Sequence, residues 1–76
     1  MKIEILGTGC AKCNKLYEAA KEAVAKAGKD AEIVKIEDLA EIMKRGVMVT
    51  PALAIDGEVK TAGKVLKADE IARMLT

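Results

Sequence analysis

A long stretch of helical periodicity between two short β-type runs does most to limit the folds open to this chain. From Ala11 to Ala27, apolar side chains recur at Cys13, Leu16 and Tyr17, Ala20, Ala23 and Val24, and Ala27, close to the period of an α-helix. Before that stretch, Lys2 to Leu6 (KIEIL) alternates and is rich in isoleucine; after it, Ala31 to Ile36 (AEIVKI) has the same character. Two strands joined by a helix of this length are expected to be parallel, with a right-handed crossover that lays the helix on one face of their sheet. Glu22 and Lys26, four apart, offer an ion pair on the outer side, and Gly28 stands where a left-handed cap is expected.

The rest of the chain adds antiparallel partners. Asp38, with Glu41 three residues later, reads as an N-cap and N3 pair opening a short helix, with Leu39, Ile42 and Met43 as its buried stripe and Gly46 as its end. Val47 to Thr50 and the single proline, Pro51, lead into the apolar run Ala52 to Ile55. Asp56-Gly57 then separates that run from Glu58 to Ala62, a strong short-range hairpin signal. Gly63 frees the chain to turn. Lys67 to Leu75 is the last helix, with Ile71, Met74 and Leu75 on one side and Asp69-Glu70 near its start. The order β-α-β-α-β-β-α predicts an α/β fold, a four-stranded mixed sheet flanked by three helices. At 76 residues the chain is expected to form one domain, residues 1–76, with a thin core, because a chain of this size buries only about 60% of the surface it exposes when unfolded.

Charge and aromatic content exclude several function classes. Thirteen basic and twelve acidic residues leave a net charge of +1, with no run of like charge to hold phosphates or a membrane surface. With one Tyr and no Trp or Phe, the chain also lacks the faces on which single-stranded nucleic acids stack. Nucleic acid is therefore not an expected partner, and neither is a membrane. No stretch is long enough to span a bilayer, and the apolar part of Met1 to Gly9 is too short for a signal peptide. A soluble cytoplasmic protein is expected, compatible with a monomer or a weak dimer and assigned here as a monomer.

The chemistry rests on sulfur. Cys10 and Cys13 are the only cysteines, and there is no histidine. A closed zinc site needs about four ligands, so a tight metal site would have to borrow some from a second copy or a partner. As a structural staple the pair would close a loop worth only on the order of 2 kcal/mol. Thiol–disulfide exchange fits the surroundings better. Cys10 follows a strand and the loop Gly7-Thr8-Gly9 and stands at the start of the long helix, where unpaired N–H groups favour a thiolate. Lys12 and Lys15 add positive charge, with no acid between Gly7 and Tyr17. Three residues along a helix bring two Cα atoms within about 5 Å, inside the range a disulfide tolerates. The pattern therefore predicts Cys10 as nucleophile, Lys12 as a group lowering its pKa, and Cys13, on the face of Leu16 and Ala20, as the more buried resolving thiol. Two alternatives stay open on the residues alone: a pair of ordinary thiols, and a module carrying a soft ion such as Cu(I) or Zn²⁺.

Together these features resemble the thioredoxin and glutaredoxin superfamily, most closely its small prokaryotic redox-active-disulfide proteins. The similarity runs along the whole chain through Thr8-Gly9-Cys10-Ala11-Lys12-Cys13, Thr50-Pro51, Ile55-Asp56-Gly57 and Gly63. By base rate the Thr50–Pro51 bond is trans; the resemblance implies that it is cis and close to Cys10. It further implies that the Thr50 backbone pairs with an incoming substrate chain, with Pro51 and Gly63 beside it. The implied partners are protein disulfides or dithiols and a reductase the sequence does not identify, with no cofactor beyond the dithiol. Gly9 and Ala11-Lys12 differ from the aromatic residue and the Gly-Pro of thioredoxins. Ala62-Gly63 replaces the glycine pair of glutaredoxins, which counts against glutathione binding. Heavy-metal-associated domains also place CxxC between a strand and a helix, but they continue with two strands where this chain has a helix between Ile36 and Pro51. Glu4 is expected to be a solvated surface residue, and Tyr17 a rim or core residue.

Overall fold

The computed structural model describes residues 1–9 and 11–75. Its elements are β1 (Lys2–Leu6), α1 (Ala11–Ala27), β2 (Glu32–Ile36), α2 (Leu39–Lys44), β3 (Ala52–Ile55), β4 (Glu58–Ala62) and α3 (Ala68–Leu75). The strands form one mixed sheet in the order β2-β1-β3-β4. β1 and β2 are parallel, with Ile3 opposite Ile33 and Ile5 opposite Lys35. β3 is antiparallel to β1, and the Asp56-Gly57 turn folds β4 back onto β3. The α/β architecture expected from the sequence is the one observed.

Alternation along β1 divides the core in two. Ile3 and Ile5 pair with Ile55 and Leu53 on the face covered by α1 and α3, where they meet Leu16, Ala20 and Ala23 of α1 and Ile71 and Leu75 of α3. Burying one such aliphatic side chain stabilises the fold by about 1.5–3 kcal/mol, so these rows fix α1 to the sheet and with it the segment that carries Cys13. Lys26 Nζ, 2.7 Å from Asp69 Oδ1, also links α1 to α3, but both groups are well exposed and such pairs add little. The start of α3 is closed by its own sequence: Lys67 N–H donates to Glu70 Oε1 at 3.3 Å, while Lys67 O accepts from Ile71 N at 3.1 Å.

On the opposite face Leu6, Ala52 and Ala54 meet Ile42 and Val47. Here the expected stripe of α2 is corrected. Ile42 is buried, but Leu39 and Met43 are 58% and 63% exposed. A helix of six residues has under two turns, so only one of its side chains reaches the sheet, and Val47 completes the contact. Asp38 caps α2 as expected, accepting from Ala40 N at 3.0 Å, whereas Glu41 turns to Arg45 Nε at 3.5 Å instead of reaching back to the cap.

Glu4 is the second correction: it is only 2% exposed. β1 is an interior strand, so both its faces are covered, and Glu4 lies between Val34 and Ala54. Arg45, the C-cap of α2, donates Nη1 and Nη2 to the two carboxylate oxygens at 2.7 Å each. These hydrogen bonds outweigh the opposing effect of burial and hold the Glu4 carboxyl below its ordinary pKa, and the Arg45 guanidinium is in turn shifted upward. No helix among the described residues is long and apolar enough to cross a membrane.

Candidate functional site

Cys10, the expected nucleophile, lies outside the described residues. The next residue, Ala11, begins α1, whose first turn contains no acidic side chain and an exposed Lys12. Cys13 is on the inner face of that helix with Leu16 and Ala20 and is 5% exposed.

Cys13 reaches its position because Gly7 has no side chain. A Cβ built on Gly7 would overlap Cys13 Sγ, stand 3.2 Å from Cys13 Cβ and lie 3.8 Å from Pro51 Cα. Sulfur, glycine and proline therefore share one small volume at the end of β1. Gly7 N–H also donates to Ile36 O at 2.9 Å, which fixes the loop to the end of β2. Gly7→Ala is expected to force the sulfur and α1 apart at a cost of about 1–3 kcal/mol, read from urea unfolding of the two proteins. An unchanged midpoint would contradict that packing.

The Thr50–Pro51 peptide is cis, with Pro51 buried and Thr50 half-buried. Pro51 O accepts from Gly63 N at 2.7 Å. Gly63 is left-handed, with φ +80°, and a Cβ there would come 2.8 Å from Val49 Cγ1. The three residues expected on the substrate side thus adjoin one another, and through Gly7 they adjoin Cys13. Gly63→Ala is expected to lower stability by about 1–2 kcal/mol from backbone strain alone, with part of any further loss recovered when Val49 is also changed to Ala. A fully stable single variant, judged by its thermal midpoint, would contradict this.

A small depression lies beside Cys13 and Gly7, between the start of α1 and the end of β2, with Asn14, Lys35 and Glu37 in its lining. Gly9, with φ +87°, passes close under Glu37: a Cβ there would stand 3.0 Å from Oε2. Lys35 Nζ lies 4.4 Å from the centre of the half-buried Tyr17 ring and Lys21 Nζ 5.4 Å, both within cation–π reach. Tyr17 is a rim residue, as expected. Gly7, Lys35 and Glu37 do not stand out in the sequence as site residues. Parity was the available signal, since Ile33, Lys35 and Glu37 share one side of β2 and its extension, and that side faces α1. Among the described residues, no three His, Cys, Asp or Glu side chains gather so as to hold a metal ion.

The thioredoxin-domain family model matches residues 1–76. A protein named thioredoxin from Methanothermobacter thermautotrophicus is 46% identical over 76 residues, covering 100% of this chain and 99% of that relative. Another named thioredoxin, from Methanocaldococcus jannaschii, is 49% identical over 69 residues, covering 91% of this chain and 79% of the relative.

Proposed function

The chain belongs to the thioredoxin family, proteins of thiol–disulfide exchange, and on that premise we propose that it transfers electrons to or from protein disulfides through a Cys10/Cys13 couple. The Cys10 thiolate attacks a substrate disulfide, forming a mixed disulfide and releasing one substrate thiolate. Cys13 then attacks Cys10, closing the intramolecular disulfide and releasing the second substrate sulfur reduced. The two protein thiols are oxidised and the substrate disulfide is reduced; the reverse sequence oxidises a dithiol. The observation that carries this reading is the seating of Cys13, three residues after Cys10 in the sequence, against Gly7 and the cis-Pro51 turn.

Thr50, Pro51 and Gly63 are the substrate side of the site, and Lys12 supports the thiolate. Beside them Met48 and Val49 are 88% and 57% exposed, an apolar margin suited to a polypeptide substrate. The protein works in the cytoplasm as a monomer, with an external reductase restoring the dithiol. The test is reduction of a disulfide-bonded protein by excess dithiothreitol, with and without catalytic amounts of this chain. Acceleration that disappears in Cys10→Ser is expected, and no acceleration by the unaltered protein would overturn the proposal.

A further inference from the structure

The segment that leads from α2 into the cis-Pro51 turn is anchored at every other residue. Arg45 is tied to Glu4, and Val47 is buried with Leu6 and Ile42. Val49 lies over Gly63, where a Cβ would come 2.8 Å from Val49 Cγ1, and Pro51 is buried at the end of the run. These anchors leave Met48 on the outside. It is 88% exposed, against 63% for Met43, 46% for Met1 and 36% for Met74, and it stands two residues before Thr50.

Two properties of a thioether matter at that place. Unbranched and polarisable, it adapts to apolar surfaces of different shape, which suits a site that meets varied polypeptides. It is also open to oxidation, and the sulfoxide turns an apolar contact into a polar one. A thioether has no proton to lose, so access of the oxidant to sulfur governs the reaction. We propose that Met48 is a modification site, at which a peroxide forms the sulfoxide and so weakens capture of protein disulfides without altering the cysteine chemistry.

The sulfur lone pair attacks one oxygen of hydrogen peroxide, the S–O bond forms and the O–O bond breaks. The other oxygen leaves as hydroxide and takes the proton of the transferred oxygen, giving water. The thioether is oxidised by two electrons and the peroxide is reduced by two. A methionine sulfoxide reductase reverses the change, with electrons from a dithiol and release of the oxygen as water. This inference rests on the exchange reading above, and the experiment separates the two.

The unaltered protein and Met48→Leu are treated with limiting hydrogen peroxide and then with dithiothreitol, which reduces disulfides and leaves sulfoxides in place. Peptide mass spectrometry locates the added oxygen, and initial rates are measured on a disulfide-bonded protein and on a small aromatic disulfide. Met48 is expected to gain oxygen before Met1, Met43 and Met74. Treatment should raise the KM of the unaltered protein for the protein disulfide about fivefold or more, the scale of losing part of one apolar side chain's contact. Its kcat and its rate on the small disulfide should not change. Met48→Leu should keep after treatment the KM it had before; lesions elsewhere are common to both proteins, so their difference reports position 48. Sulfoxide reductases of both epimer specificities should restore the KM. Oxygen found first on another methionine, an unchanged KM once Met48 is oxidised, or equal losses in the two proteins would overturn the proposal while leaving exchange intact. Failure of the untreated protein to accelerate reduction of the protein disulfide would overturn the exchange reading and this inference together.

Discussion

Cys13→Ser is expected to stall the protein as a covalent adduct with its substrate, whereas Cys10→Ser abolishes exchange and forms no adduct. The asymmetry follows from position. Cys13 is 5% exposed, packed against Gly7 on the inner face of α1, and cannot meet a disulfide in another protein. On the proposed reading Cys10 is the attacker: in the sequence it immediately precedes a helix whose first turn contains no acid, and its anion would be favoured by the helix N–H groups and Lys12. With Cys13 replaced, the attacking thiol still captures substrate but nothing displaces it. Mass spectrometry of each variant after incubation with a disulfide-bonded protein reads the outcome: a substrate adduct, removed by dithiothreitol, in Cys13→Ser only. Adducts on both variants, or on Cys10→Ser alone, would contradict the assignment.

Arg45→Met is expected to produce a large loss of stability although Arg45 itself lies outside the apolar core. It removes both 2.7 Å hydrogen bonds to Glu4 and leaves a buried carboxylate facing an apolar side chain. Stranding a buried carboxylate costs on the order of 3 kcal/mol, a fall of roughly 10 °C or more in thermal midpoint for a domain of this size. The pH dependence gives the sign. In the unaltered protein the Glu4 carboxyl is held below its ordinary value of 4.5, so its contribution is complete above that value and is lost as pH falls through the lower folded value. Without the guanidinium, burial moves the same carboxyl upward, so the deficit is greatest near neutrality and shrinks as acid protonates Glu4. Glu4→Leu with Arg45→Met should recover most of the loss, because an apolar pair leaves no charge unpaired. Urea unfolding at neutral and acidic pH measures all three proteins, and an Arg45→Met variant with unaltered stability and pH profile would contradict the role given to the pair.

Local patterns made nearly every element legible. The helical period from Ala11 to Ala27 and the Asp56-Gly57 turn determine two of the three strand pairings, and α3 starts one residue later than expected only because Lys67 serves as its cap. The features that escaped are non-local. Glu4 reads as a surface acid until Arg45, 41 residues away, is brought to it. Leu39 and Met43 look like core because periodicity cannot tell how little sheet α2 has to cover. At the site, the cysteine spacing and the proline were legible from sequence, but the need for glycine at position 7 was not, since it arises from Cys13 and Pro51 arriving from different parts of the chain.

The proposal that Cys10 attacks and the sheltered Cys13 resolves is tested most directly by alkylating the reduced protein with iodoacetamide across a pH series and locating the label by peptide mass spectrometry. Cys10 should react at neutral pH with a titration midpoint well below the free-thiol value of about 8.5, while Cys13 stays unlabelled until the protein is unfolded. Equal labelling of both sulfurs in the folded protein, or Cys13 reacting first, would contradict it.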